Sequence, residues 1–238
     1  MKEFWFMGHN DYINLLYLPY TAIVFSFIID GMVLSGVPDI MGDILLLVAY
    51  FFGLGISAHY LNEAYSHRLM DRGRASVLKI IGTASLIVAA GLGGYLVVTL
   101  SNVPLMIIGI IEVLAVILYN HPRFNSAHND FFFSVAWGGL PSLAGFMLGH
   151  EVITVSALAL FAVTSILGSL EITPSRHVKY WRRRDADIEK VVFKDGKEMQ
   201  SSIELMIKRP ERSIKLLSVL CYIMPVLLYL VIYSRLTI

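Results

Sequence analysis

One cysteine in 238 residues leaves no partner for a disulfide, so the chain is not a small cross-linked scaffold. Charged residues are scarce as well, at 16% where a soluble globular chain carries about 25%. Low-complexity sequence is sparse, which excludes disorder and a collagen-like fibre. A formal net charge of +1 removes any argument for nucleic-acid binding from net charge. What the chain has in quantity is apolar surface. Hydrophobic residues make up 56%, and they collect in long runs. The composition is that of a polytopic membrane protein.

A helix crossing hydrocarbon needs roughly 20 mostly apolar residues. Seven stretches qualify, at about 12–34, 40–59, 77–100, 104–119, 131–148, 152–170 and 214–233. The fourth is short, and the fifth is rich in Gly and Ser. Barrel strands would alternate inward and outward residues over about ten positions, which these runs do not. The expected fold is all-α: one transmembrane helical bundle over residues 1–238, with a basic connection at about 173–212.

Charge placement orients this bundle. Lys2, Arg68, Arg72, Arg74, Lys79, Arg123 and the long series from Arg176 to Lys215 fall at one end. The connections near 36–39, 101–103 and 149–151 contain no Lys or Arg, and only Arg235 lies on their side. By the positive-inside rule the N-terminus is expected in the cytoplasm and the C-terminus outside. No cleavable signal peptide is expected, since the aromatic N-terminus lacks a basic region followed by a short apolar core. Cys221, inside the last run, reads as an inert packing thiol. Gly91, Gly93 and Gly94 lie within an apolar helix and read as close packing or a kink, not as a nucleotide loop.

Polar residues gather at the basic end. His59, Glu63 and His67 follow one another in steps of four, so a continuing helix would place them on one face, with Asn62 and Ser66 beside it. Such groups suit a divalent ion or a charged substrate, and equally the wet end of an amphipathic helix. The connection 119–130 holds His121, His128 and Asp130 among asparagines, where His128 and Asp130 could contact metal or substrate, or merely form a solvated turn. Glu112 sits midway along the fourth run, where a carboxyl costs roughly 2.5–3.5 kcal/mol unless it faces protein or a wet cavity. It is expected to point inward, lining a substrate cavity or bonding a hydroxyl on another helix. Asp30 and Asp43 are expected at the opposite interface. Arg176, Lys179 and one of Arg182 to Arg184 could clamp a diphosphate, or hold lipid phosphates beside amphipathic helices on the inner leaflet.

Several short motifs carry a resemblance. They are Ala58-His59-x-x-Asn62-Glu63, His128-x-Asp130, Trp137-Gly138-x-x-Pro141, and Asn14-Leu15-Leu16-Tyr17-Leu18-Pro19. The chain resembles the UbiA superfamily of intramembrane prenyltransferases, and within it a branch with an Ala-His-x-x-(Asp/Asn)-Glu motif. The superfamily's usual first motif is richer in aspartate; here Ser66 and Met70 stand at its later acidic positions. The resemblance implies a Mg²⁺-assisted transfer of a prenyl group from a polyprenyl diphosphate to a lipid-soluble acceptor. It implies that Asn62, Glu63 and Asp130 hold Mg²⁺, with His59 or His128 as a further ligand or base. Glu63, His59 and Asp130 would be catalytic. Arg68, His128, Arg176, Lys179 and Glu112 would bind substrate. Membrane lipids are expected partners and nucleic acid is not. Two other classes stay open: a non-catalytic lipid-binding or transport protein that kept the fold, and an ion-coupled transporter centred on Glu112.

Overall fold

Hydrocarbon offers the backbone no hydrogen bonds, so each apolar run must satisfy its own peptide groups as helix. The computed structural model describes residues 16, 18–37, 39–66, 72–183, 191–192, 195, 198–199 and 209–234. Within them the helices are α1 Leu18–Ser35, α2 Ile40–Ser66, α3 Ala75–Leu100 and α4 Val103–Asn120, followed by α5 in three pieces. Those pieces are Asp130–Ser134, a π-helical Val135–Gly139, and Leu140–Met147. Helix α6 spans Val155–Arg183 and α7 spans Arg209–Ser234. Outside the helices, β1 Val191–Val192 pairs antiparallel with β2 Glu198–Met199. Among the described residues, helices α1 to α4, α6 and α7 are the six long and apolar enough to cross a membrane; α5, expected as the fifth of seven spans, is not among them.

The Gly- and Ser-rich run has become the centre of the bundle. Residues 136–148 of α5 and its end are all buried, and α5 packs against α1, α4 and α6. Its glycines make this possible. A Cβ on Gly145 would lie 2.1 Å from the Ile28 carbonyl oxygen, and one on Gly31 of α1 would lie 2.0 Å from that of Ser142. Small residues thus let two backbones touch, which substitutes for hydrophobic driving force inside lipid. Gly138 meets the Thr164 carbonyl of α6 in the same way, at 2.4 Å. The π turn has a local cause in Pro141, which has no N–H to offer the carbonyl four residues back.

Capping fixes the ends that frame the site. Asn129 starts α5 by accepting from the Phe132 amide at 2.8 Å, which leaves Asp130 in the first turn, where the helix dipole favours a carboxylate. At the opposite end Asn102 caps α4 through the Leu105 amide and donates to the carbonyls of Met147 and His150, tying α4 to α5.

Several details differ from or refine the expected bounds. Helix α6 does not stop near residue 170 but runs through Pro174 to Arg183, so residues 173–183 belong to a helix and not to a loose connection. Asp30, toward the end of α1, is fully buried within the protein. Gly91, Gly93 and Gly94 do not mediate close packing, since a Cβ on any of them would meet nothing within 4 Å. Helix α2 passes residue 59 and continues to Ser66, after an eight-residue π-helical stretch at Phe51–Ala58.

Candidate functional site

The extension of α6 places Arg176 against α5. Its guanidinium forms an ion pair with Asp130 and donates to the Tyr119 hydroxyl at 2.9 Å, so one side chain joins α4, α5 and α6. Thr173, one turn earlier on α6, donates to the other Asp130 oxygen at 2.9 Å. Both carboxylate oxygens are therefore held from α6. The Arg176 and Asp130 side chains remain about one third exposed, so the pair is reachable from water.

Behind this polar pair stands an aromatic wall. Tyr119 closes α4, and its ring stacks on His128 at 4.4 Å and lies 4.8 Å from Trp137. Phe133 stacks on Trp137 at 4.8 Å, and Tyr20 of α1 meets the edge of Phe133. His128 also uses its Nδ1 on the Tyr119 backbone carbonyl, 3.1 Å away. The Trp137 Nε1–H is buried and has no hydrogen-bond partner among the described residues. Below the wall Glu171 is buried, accepts from Ser218 of α7, and its carbonyl accepts from Tyr20.

The expected residues divide into three groups. Asp130 and Arg176 meet directly, and His128 joins them through Tyr119. His59, Asn62 and Glu63 lie on the last two turns of α2, where Glu63 is buried and the other two are half-buried. A ring contact between Tyr65 and His121 links this helix end to the connection after α4. Glu112 does point inward; it accepts from the Tyr50 hydroxyl at 3.1 Å and lines a separate apolar cavity. Arg68 lies outside the described residues, as does the side chain of Lys179.

Among the described residues no three or more His, Cys, Asp and Glu side chains gather where they could hold a metal ion. Asp130 is already held by Arg176 and Thr173. His59, Glu63, His128 and Asp130 therefore do not gather as a group of three or more among the described residues.

Neither a family model nor a curated protein matches the sequence. A solved structure does match: a UbiA homologue from Archaeoglobus fulgidus bound to Cd²⁺, with a TM-score of 0.57 over 96% of this chain and 90% of that one. The fold is UbiA-like. Sequence identity is 14%, so the likeness concerns architecture. With six membrane-length helices in that architecture, the protein is an integral membrane protein.

Within the UbiA-like bundle, the sequence did not mark Tyr119 and Thr173 as partners of the charged pair, and it showed Trp137 only as part of a motif and not as part of the wall behind Tyr119. Tyr119 looks like any interfacial aromatic at a helix end. Thr173 sits beside Pro174, which suggests a helix terminus and hides its position one turn from Arg176. Of the aromatics near the site, Phe133 is buried in the wall, whereas Phe131 is 79% exposed and has no place in it.

Proposed function

We propose that this chain is a UbiA-like membrane prenyltransferase, moving a prenyl group from a polyprenyl diphosphate to a lipid-soluble acceptor at the cytoplasmic face. The observation that carries this reading is the contact of Arg176 with Tyr119, a cationic fork at the water end of an aromatic wall. A guanidinium suits diphosphate oxygens because it offers parallel N–H donors. The rings of Tyr119, Phe133 and Trp137 pack together behind it, and aromatic rings stabilise nearby carbon carrying positive charge. In the reaction the bond between the allylic carbon and the diphosphate oxygen breaks, and its electron pair leaves with diphosphate. The acceptor's nucleophilic atom then bonds that carbon and releases a proton. Arg176 stabilises the departing anion. On this reading Arg68 and Lys179 would add positive charge for the diphosphate, and Asn62, Glu63 and His59, at the end of α2, would supply the further polar groups.

The test is binding of tritiated geranylgeranyl diphosphate to the protein in nanodiscs, followed by release of diphosphate. Arg176→Ala is expected to weaken binding about 10- to 100-fold, the worth of charge-assisted hydrogen bonds, and Arg176→Lys to recover part of it. Wild-type protein that ignores the diphosphate overturns the reading. A second reading, a lipid-binding protein without turnover, draws on the engagement of both Asp130 oxygens by α6. Diphosphate binding without diphosphate release, across several acceptors, selects it.

A further inference from the structure

A cavity of about 520 Å³ lies between α2, α3 and α4, away from the charged pair. It is bounded by Leu46 to Leu54 of α2, Leu86 to Val98 of α3 and Leu105 to Val116 of α4, with Ala144 from α5. None of Tyr119, Phe133, Trp137, Asp130 and Arg176 lines it. Along α4, Glu112 stands two turns from Tyr119, about 10 Å deeper into the bundle. Glycines widen it: Gly93, Gly94 and Gly109 line the cavity, and a Cβ on any of them would meet nothing within 4 Å. Its lining residues Val98, Ile110 and Leu114 are also exposed on the apolar outer surface of α3 and α4, so the space opens sideways toward hydrocarbon.

Nearly everything that lines the cavity is apolar, with one built polar feature. Glu112 is 93% buried, its Oε1 accepts from Tyr50, and its Oε2 is buried without a hydrogen-bond partner among the described residues. An alkyl chain filling the space would leave that oxygen unpaired, at a cost of about 1–3 kcal/mol. A lipid hydroxyl would satisfy it once the carboxyl turns that buried oxygen toward the cavity, in either protonation state: it donates to a carboxylate and accepts from a carboxylic acid. An anionic headgroup would be repelled by the first and poorly solvated beside the second. The volume lies within the range of about 300–1,000 Å³ that holds compact ligands.

We infer that this cavity is a second lipid site, which takes a neutral membrane lipid by its hydroxyl on Glu112, independently of the diphosphate reading. The probe is a diazirine-bearing hexadecanol, compared with the matching diazirine alkane, in nanodiscs. Crosslinked peptides are identified by mass spectrometry. Labelling of α2, α3 and α4 by the alcohol is expected to exceed that by the alkane about tenfold, as one buried hydrogen bond allows. Glu112→Leu should bring the alcohol down to the alkane level. Gly109→Leu should fill the space and remove both signals while leaving the Glu112–Tyr50 pair in place, so it remains decisive if Glu112→Leu does not fold. Arg176→Ala should leave the labelling unchanged, which separates failure here from failure of the diphosphate reading. Equal labelling by alcohol and alkane, or alcohol labelling that survives both cavity variants, overturns the inference.

Discussion

Arg176 is paired with Asp130 across the seam between α6 and α5, and the pair is about one third exposed on each side. An ion pair so open to water is worth about 0–1 kcal/mol, too little to be the reason the bundle folds. Its consequence is positional. Asp130, itself held by Thr173, and Tyr119 hold the guanidinium beside the aromatic wall, and on the proposed reading an incoming anion would compete with Asp130 for it.

That competition has a measurable sign. Asp130→Asn keeps an oxygen for Thr173 but gives up the charge opposite Arg176. Affinity for inorganic pyrophosphate is expected to rise about three- to tenfold, with the melting temperature almost unchanged. Isothermal titration in detergent measures the first and fluorescence-detected size exclusion the second. Weaker pyrophosphate binding would show that Asp130 assists the anion and does not compete with it.

Trp137 tests the wall. Its buried indole N–H is without a hydrogen-bond partner among the described residues, a condition that costs about 1–3 kcal/mol. Trp137→Phe removes that donor and opens a small void, two effects of similar size and opposite sign. Its melting temperature is expected to stay within about 2 °C of wild type, whereas Trp137→Ala loses about 3–5 kcal/mol. If the N–H serves a ligand, Trp137→Phe should still weaken diphosphate binding severalfold despite its unchanged stability.

How far the sequence could be read depends on what each residue's role requires. Helix existence follows from run length alone, and α3 and α4 begin and end within two residues of the expected bounds. The end of α6 was hidden because Pro174 signals a stop. Neither its side-chain partners nor the tolerance of a proline inside α6 leaves a local mark. Asp130, His128 and Arg176 stood out as polar residues near apolar runs. Their meeting through Tyr119 is a property of three helices, and nothing in the chain between residues 119 and 176 encodes it locally. The Gly91 to Gly94 stretch shows the same limit, since glycine permits either close contact or open space, and only the placement of the neighbouring helices decides which.

The contact between α1 and α5 predicts a sharp contrast among glycines. Gly145→Ala would put a methyl group 2.1 Å from the Ile28 carbonyl, so the two backbones must separate, at a cost of about 1–3 kcal/mol or more. Gly109→Ala adds the same methyl to open space within α4 and should hold or raise the melting temperature, by up to about 4 °C. Equal effects would mean that α1 and α5 are not packed backbone to backbone.

Asp30 supplies the last test, because it lies outside both proposed sites. Its side chain is fully buried among α1 and its neighbours, and neither carboxyl oxygen has a hydrogen-bond partner among the described residues. A polar group placed that way lowers stability by about 1–3 kcal/mol relative to a satisfied or apolar one. Asp30→Val, close in shape to the carboxylate, should therefore raise the melting temperature by several degrees and leave diphosphate binding and alcohol labelling as they were. For a chain of this length each kcal/mol moves the midpoint by about 2–4 °C, which thermal unfolding in a single detergent resolves. A fall in stability would instead assign Asp30 a stabilising partner, and a loss of diphosphate binding would place it on the path between the bundle's core and the Arg176 site.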